Sequence, residues 1–133
     1  MEILKIVSTD NTPGVLLDCK NHFIEFFGDS RPENTKLFYT PFLNWLNDYR
    51  NYLNVIQVKK NDTLITINVN FKLNYFNSSS VKYILEIIKL LKRISEVTSN
   101  IKLNVNWFYD DEDLLDVGKQ LILLGGVKMN LIG

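Results

Sequence analysis

Histidine and cysteine are almost missing from this chain of 133 residues. Each occurs once, as His22 and Cys19. One cysteine can form neither an internal disulfide nor a cysteine-based zinc site. No Ser-His-Asp or Cys-His set can be assembled around the lone histidine with any sequence support. His22 falls where a hairpin is expected and reads as a surface residue rather than a base. Net charge is absent too, since 15 Lys and Arg balance 15 Asp and Glu. A general nucleic-acid binder needs a basic surface to meet phosphates, and so does a protein held on anionic membranes. Both classes are therefore disfavoured. No apolar run approaches the roughly 20 residues that span a bilayer. Met1-Glu2-Ile3-Leu4-Lys5 carries no basic region followed by an apolar stretch, so no secretory signal is expected and a cytoplasmic location is. The sequence holds no Walker-type phosphate loop and no dinucleotide glycine fingerprint. No metal and no cofactor is expected.

What is present is an ordinary globular mixture, 46% hydrophobic and 12% aromatic. The length suits one domain over residues 1–133, with a core large enough to fold without staples. Charge is uneven: residues 1–50 sum to −2, residues 51–100 to +4 and residues 101–133 to −2. The middle surplus hints at an anionic partner or modification, although a solvated helix face explains it as well.

Apolar alternation predicts strands over 2–8, 15–19, 22–27, 63–73, 101–108 and 127–132. Lys20-Asn21 reads as a two-residue hairpin loop. Ser30 and Glu33 have capping-box spacing, with Pro32 in a tolerated first-turn position, so a helix is predicted to start at Ser30. Phe38, Phe42, Trp45, Leu46, Tyr49 and Leu53 continue its stripe, and Pro41 predicts a kink or break near Tyr39-Thr40. A second helix is predicted from about Ser79 to Ile94 and a third from Asp110 to about Leu124. The order β-β-β-α-β-α-β-α-β implies an α/β fold: a mixed sheet with its helices mainly on one face.

Three clusters carry polar chemistry. Asp110-Asp111-Glu112-Asp113 lacks calcium-loop spacing and suits the positive end of a helix dipole. Gly125-Gly126 reads as a helix C-terminal cap. Asn61-Asp62-Thr63 and Asn77-Ser78-Ser79 match glycosylation acceptors, which mean little without a secretory signal. The richest cluster is Asn77-Ser78-Ser79-Ser80-Val81-Lys82, between a strand end and a helix start. Serine and asparagine cap helices, but one cap needs one side chain. The remaining hydroxyls stand beside free amides and a positive dipole end, a setting that suits an anion, with Lys82 four residues after Ser78. Capping and a phosphorylated serine both fit these residues. So does a nucleotide- or small-molecule-binding module on the same helix N-terminus. Ser79 and Lys82 also match the Ser-x-x-Lys pattern of penicillin-binding enzymes, without its companion motifs.

At these residues the sequence resembles a family. Thr12-Pro13, Gly28-Asp29-Ser30-Arg31-Pro32-Glu33-Asn34, Phe38-Tyr39, Trp45-Leu46, Tyr75 through Lys82, Trp107-Phe108-Tyr109 and Gly118 follow the order of the SiaC-like regulatory phosphoproteins. These are small bacterial domains related in fold to STAS and anti-anti-sigma-factor proteins. The resemblance covers nearly the whole chain and implies a non-enzymatic switch. Its hydroxyl residue after the asparagine would be phosphorylated by a serine/threonine kinase of the SiaB type and released by a PP2C-type phosphatase. The unphosphorylated form would bind an effector such as a diguanylate cyclase, raising cyclic di-GMP and favouring biofilm growth. The phosphoacceptor maps to Ser78, where the family usually has threonine. Asn77, Ser79, Ser80 and Lys82 would form the phosphate site or partner interface.

Overall fold

A computed structural model describes residues 1–59 and 63–133, and the sequon beginning at Asn61 starts outside them. The elements are β1 (Leu4–Ile6), β2 (Gly14–Asp18), β3 (Phe23–Ser30), α1 (Thr35–Lys59), β4 (Ile65–Phe76), α2 (Ser78–Ser95), β5 (Ile101–Phe108), α3 (Glu112–Gly125) and β6 (Met129–Ile132). They build one six-stranded sheet in sequential order. β1, β2 and β3 pair antiparallel, and β3 to β6 run parallel. Each parallel step crosses over through a helix. Right-handed crossovers between sequential neighbours place all three helices on the same face. There α1 packs on α2, and α2 on α3.

Alternation along β4 explains both faces of the sheet. Ile65, Ile67, Val69, Phe71 and Leu73 are buried under the helices. Asn68, Asn70 and Lys72 point to the open face. A parallel sheet is usually covered on both sides. Here the bare side is tied by amides: Asn104 donates to Asn68 (2.8 Å), Asn106 to Asn70 (3.0 Å), and Asn130 to both Asn104 and Asn106 (3.0 Å each). The chain of amides ends on the Glu25 carboxylate, which Asn70 reaches at 3.2 Å.

The capping box expected of Ser30 and Glu33, with Pro32 in the first turn, does not form. Ser30 is the last residue of β3 and fully buried. Two interior hydroxyls hold its side chain, which leaves it no reach to a helix amide. Asn34 caps α1 instead, its Oδ1 accepting from the Leu37 amide at 3.0 Å. Of the kink or break expected near Tyr39-Thr40, the break does not occur, and α1 runs through Pro41. Pro41 cannot donate to the Leu37 carbonyl. Both residues face solvent, so water can take the freed acceptor, and the Thr40 hydroxyl holds the Lys36 carbonyl at 2.6 Å. The two-residue loop expected at Lys20-Asn21 is a four-residue turn, because Asp18 pairs with Phe23. The Asp18 carboxylate gathers the amides of Lys20 (2.9 Å) and Asn21 (3.0 Å) and the Asn21 side chain (2.8 Å). At the other end, Gly126 (φ 68°) caps α3 as the glycine pair suggests, and Asp111 caps its start.

His22, at the end of that turn, sets a pH response. Its Nδ1 meets the Tyr49 hydroxyl on α1. Burial pushes the Tyr49 phenol above the tyrosine range, so it stays protonated and donates to the imidazole. Burial holds His22 below its ordinary value, and the nearby Asp18 charge opposes this only in part. The unfolded chain therefore takes the proton first. Stability is full above the unfolded value of about 6.5 and declines as pH falls from there toward the lower native value. The urea midpoint should drop between pH 7.5 and pH 5, and His22→Gln should flatten that drop. Equal midpoints at the two pH values in the parent would contradict this coupling.

Candidate functional site

The polar cluster lies where β3 and β4 end together. Between Gly28 and Asp29 the parallel register slips by one residue, and Ser30 pairs with Phe76. The extra residue in β4 swaps the faces to which the later side chains point. Phe76 turns from the open face toward the helices, its ring 5.9 Å from that of Trp107. The chain then enters α2 at Asn77, whose amide donates to the Ser30 carbonyl at 3.0 Å.

Asn77 is the N-cap, with extended backbone (φ −79°, ψ 168°). Its Oδ1 accepts three bonds: from the Ser80 amide (2.9 Å), the Ser80 hydroxyl (2.6 Å) and the Ser79 hydroxyl (3.0 Å). The three serines thereby acquire different roles. Ser80 is fully buried. Since its one proton goes to Asn77, it accepts from Ser30 Oγ (2.8 Å), which in turn accepts from the Tyr39 phenol (2.7 Å). The relay Tyr39–Ser30–Ser80–Asn77 locks α1, β3 and α2 together. Ser79 is exposed and tethered, accepting from the Thr35 hydroxyl at 2.8 Å. Its proton goes to an amide oxygen and not to Lys82, the lysine of the Ser-x-x-Lys pattern.

Ser78 differs from both. It occupies the first position of α2, is exposed, and its hydroxyl has no hydrogen-bond partner among the described residues. Lys82 sits one turn further on, also exposed and without an ion pair among those residues. Helical side chains lean toward the N-terminus, so Lys82 leans toward Ser78. No acid occupies the first turn of α2. Arg31, by contrast, is engaged: it pairs with Asp29 at 3.0 Å and lies 4.7 Å above the Tyr75 ring. Of the other anticipated site residues, Pro32 is buried in the loop between β3 and α1, while Glu33 is exposed there. Ser30, Thr35 and Tyr39 belong to the cluster by contact, although nothing in the local pattern marks Thr35 or Tyr39 as its members.

Asn77→Ala removes the cap, worth about 1 kcal/mol. It also takes from the buried Ser80 hydroxyl its shortest acceptor, leaving it the Ser30 carbonyl at 3.2 Å, at a further cost of about 1 kcal/mol. The expected loss is about 2 kcal/mol by urea denaturation, with Asn77→Asp close to the parent because it keeps the acceptor. A loss below about 0.5 kcal/mol would show that the relay is not stabilising.

Comparison with known proteins bears on the family and the fold. A model of the SiaC family regulatory phosphoprotein matches residues 6–132. The fold is similar to the crystal structure of apo-SiaC from Pseudomonas aeruginosa, with TM-score 0.80 and 20% identity over 100% of both chains. Another SiaC structure from that organism gives TM-score 0.76 and 20% identity over 100% of this chain and 98% of that one. A chain in the crystal structure of diguanylate cyclase SiaD in complex with its activator SiaC, also from Pseudomonas aeruginosa, gives 0.75 and 19% over 97% and 98%. No curated protein matches the sequence. With a family model spanning all but its extreme ends, the chain belongs to the SiaC family of regulatory phosphoproteins.

Proposed function

We propose that the chain is a non-enzymatic, cytoplasmic phospho-switch in which Ser78 is the phosphoacceptor. The observation that carries this reading is the division of labour among the three serines. Ser80 is buried in the relay and Ser79 is tethered to Thr35, whereas the Ser78 hydroxyl is exposed and makes no hydrogen bond among the described residues. A phosphoryl group there would add roughly −1.5 to −2 charge at neutral pH. It would stand at the positive end of α2 with Lys82 one turn away, so the modified domain stays folded. The partners would be a SiaB-type serine/threonine kinase, a PP2C-type phosphatase and an effector. The effector is a diguanylate cyclase, the class of protein with which the similar SiaC chain was crystallised.

The test is reconstitution with the kinase and the diguanylate cyclase of the same organism, read as cyclic di-GMP produced. The chain alone should produce none. The unphosphorylated chain should raise cyclase output, prior incubation with kinase and ATP should remove the increase, and a PP2C phosphatase should restore it. Equal output with both forms would refute the switch.

A further inference from the structure

Two exposed apolar side chains, Ile6 and Leu37, line one groove near the switch. This groove of about 500 Å3 lies between β1 and the first turns of α1, lined by Leu4, Ile6, Leu37, Phe38 and Pro41 with Glu33 among them. Ile6 is 37% exposed and Leu37 72% exposed. Leu4 pairs with the buried Leu17, so Leu4 and Ile6 are the residues of β1 that face the helix layer. Among the described residues, β1 is the last strand on this side of the sheet and pairs with β2 alone. Its outer edge therefore presents unpaired backbone groups, while α1 continues an apolar surface beyond it. This is the space that one more strand would cover.

Two further observations narrow what fills it. The Glu33 carboxylate has no cation partner among the described residues, which suits a basic side chain. Asn34, also at the groove, directly precedes Thr35, whose hydroxyl bonds to Ser79 next to Ser78. The groove and the phosphoacceptor thus share one rim.

We propose that this groove receives an extended segment of the regulated partner, added as a strand along β1. Main-chain bonds to the free edge would supply affinity, and alternate apolar side chains would enter the groove. A Lys or Arg of the segment would meet Glu33. A helix could fill the same volume but would leave the edge of β1 unpaired. This inference rests on the switch reading, since the occupant is the partner whose binding Ser78 controls.

The test uses the full unphosphorylated chain and the diguanylate cyclase proposed as its effector, in titration calorimetry and hydrogen exchange. Ile6→Glu and Leu37→Glu alter exposed positions and should fold, as circular dichroism would verify. Each should weaken binding by at least about 10-fold. Leu123→Glu, at an 83% exposed position on α3, should not. Amide exchange over Leu4–Ile6 should slow in the complex. Groove variants that bind as the parent does would overturn the groove and leave the switch standing. Weakened binding without slower exchange in β1 would overturn strand addition. A concentration-dependent dimer abolished by Leu37→Glu would overturn the proposal by assigning the groove to a second copy. A parent chain that binds no cyclase would refute the switch reading itself and this inference with it.

Discussion

Ser78→Glu should fold as the parent does and lose its effector, whereas Ser78→Ala should fold and keep it. The exposed Ser78 side chain makes no hydrogen bond among the described residues, so neither change breaks one of them. A carboxylate in the first turn of α2 even favours the helix, by about 0.3–1 kcal/mol. Lost binding therefore cannot be attributed to lost structure. A partner surface of apolar groups or carboxylates laid over Asn77-Ser78-Ser79 would bury the new charge unpaired. That costs several kcal/mol. A micromolar complex is worth about 8 kcal/mol, so the penalty removes most or all of it. Titration calorimetry with the effector reads both variants. Parent-like affinity for Ser78→Glu would sink charge exclusion as the mechanism.

Trp107→Ala should have the largest effect on stability, about 3–5 kcal/mol. Trp107 is 1% exposed, with the rings of Phe71 and Phe76 at 5.6 and 5.9 Å. Its indole N–H donates to the Leu114 carbonyl at 2.9 Å, tying β5 to α3. Gly118 lets the two elements meet this closely: a Cβ there would lie 2.6 Å from Trp107 Cδ1. Alanine at 107 leaves a cavity bounded by three elements, which cannot collapse without moving α3. The urea midpoint should fall sharply, and less so for Trp107→Phe. A change below about 1 kcal/mol would mean that α3 docks independently of this ring.

Much of the architecture is legible in local chemistry. The β-branched alternation of Ile65 to Leu73 and the stripe Val81, Ile84, Leu85, Ile88, Leu91 encode their own periods, and those segments fold accordingly. Asp111 and Gly126 announce the ends of α3 by the same logic. The misreadings occur where a distant partner outweighs a local rule. Ser30 and Glu33 have capping-box spacing, but Ser80, 50 residues away, and Tyr39 draw the Ser30 hydroxyl inward. Pro41 should interrupt a helix, but the interruption falls on a solvent-facing turn where it costs little. The serine run itself is visible, while the assignment of one role to each hydroxyl is not. It depends on Thr35, Tyr39 and Ser30, which only the fold brings beside Asn77.

Phosphosite mapping tests the switch most directly. The purified chain is incubated with its SiaB-type kinase and ATP, digested, and fragmented in a mass spectrometer so that adjacent serines are resolved. The expected result is a single phosphoryl group on Ser78, absent from Ser78→Ala, with Ser79 and Ser80 unmodified. Phosphate on Ser79 or Ser80, or on none of the three, would contradict the assignment of Ser78 as the switch.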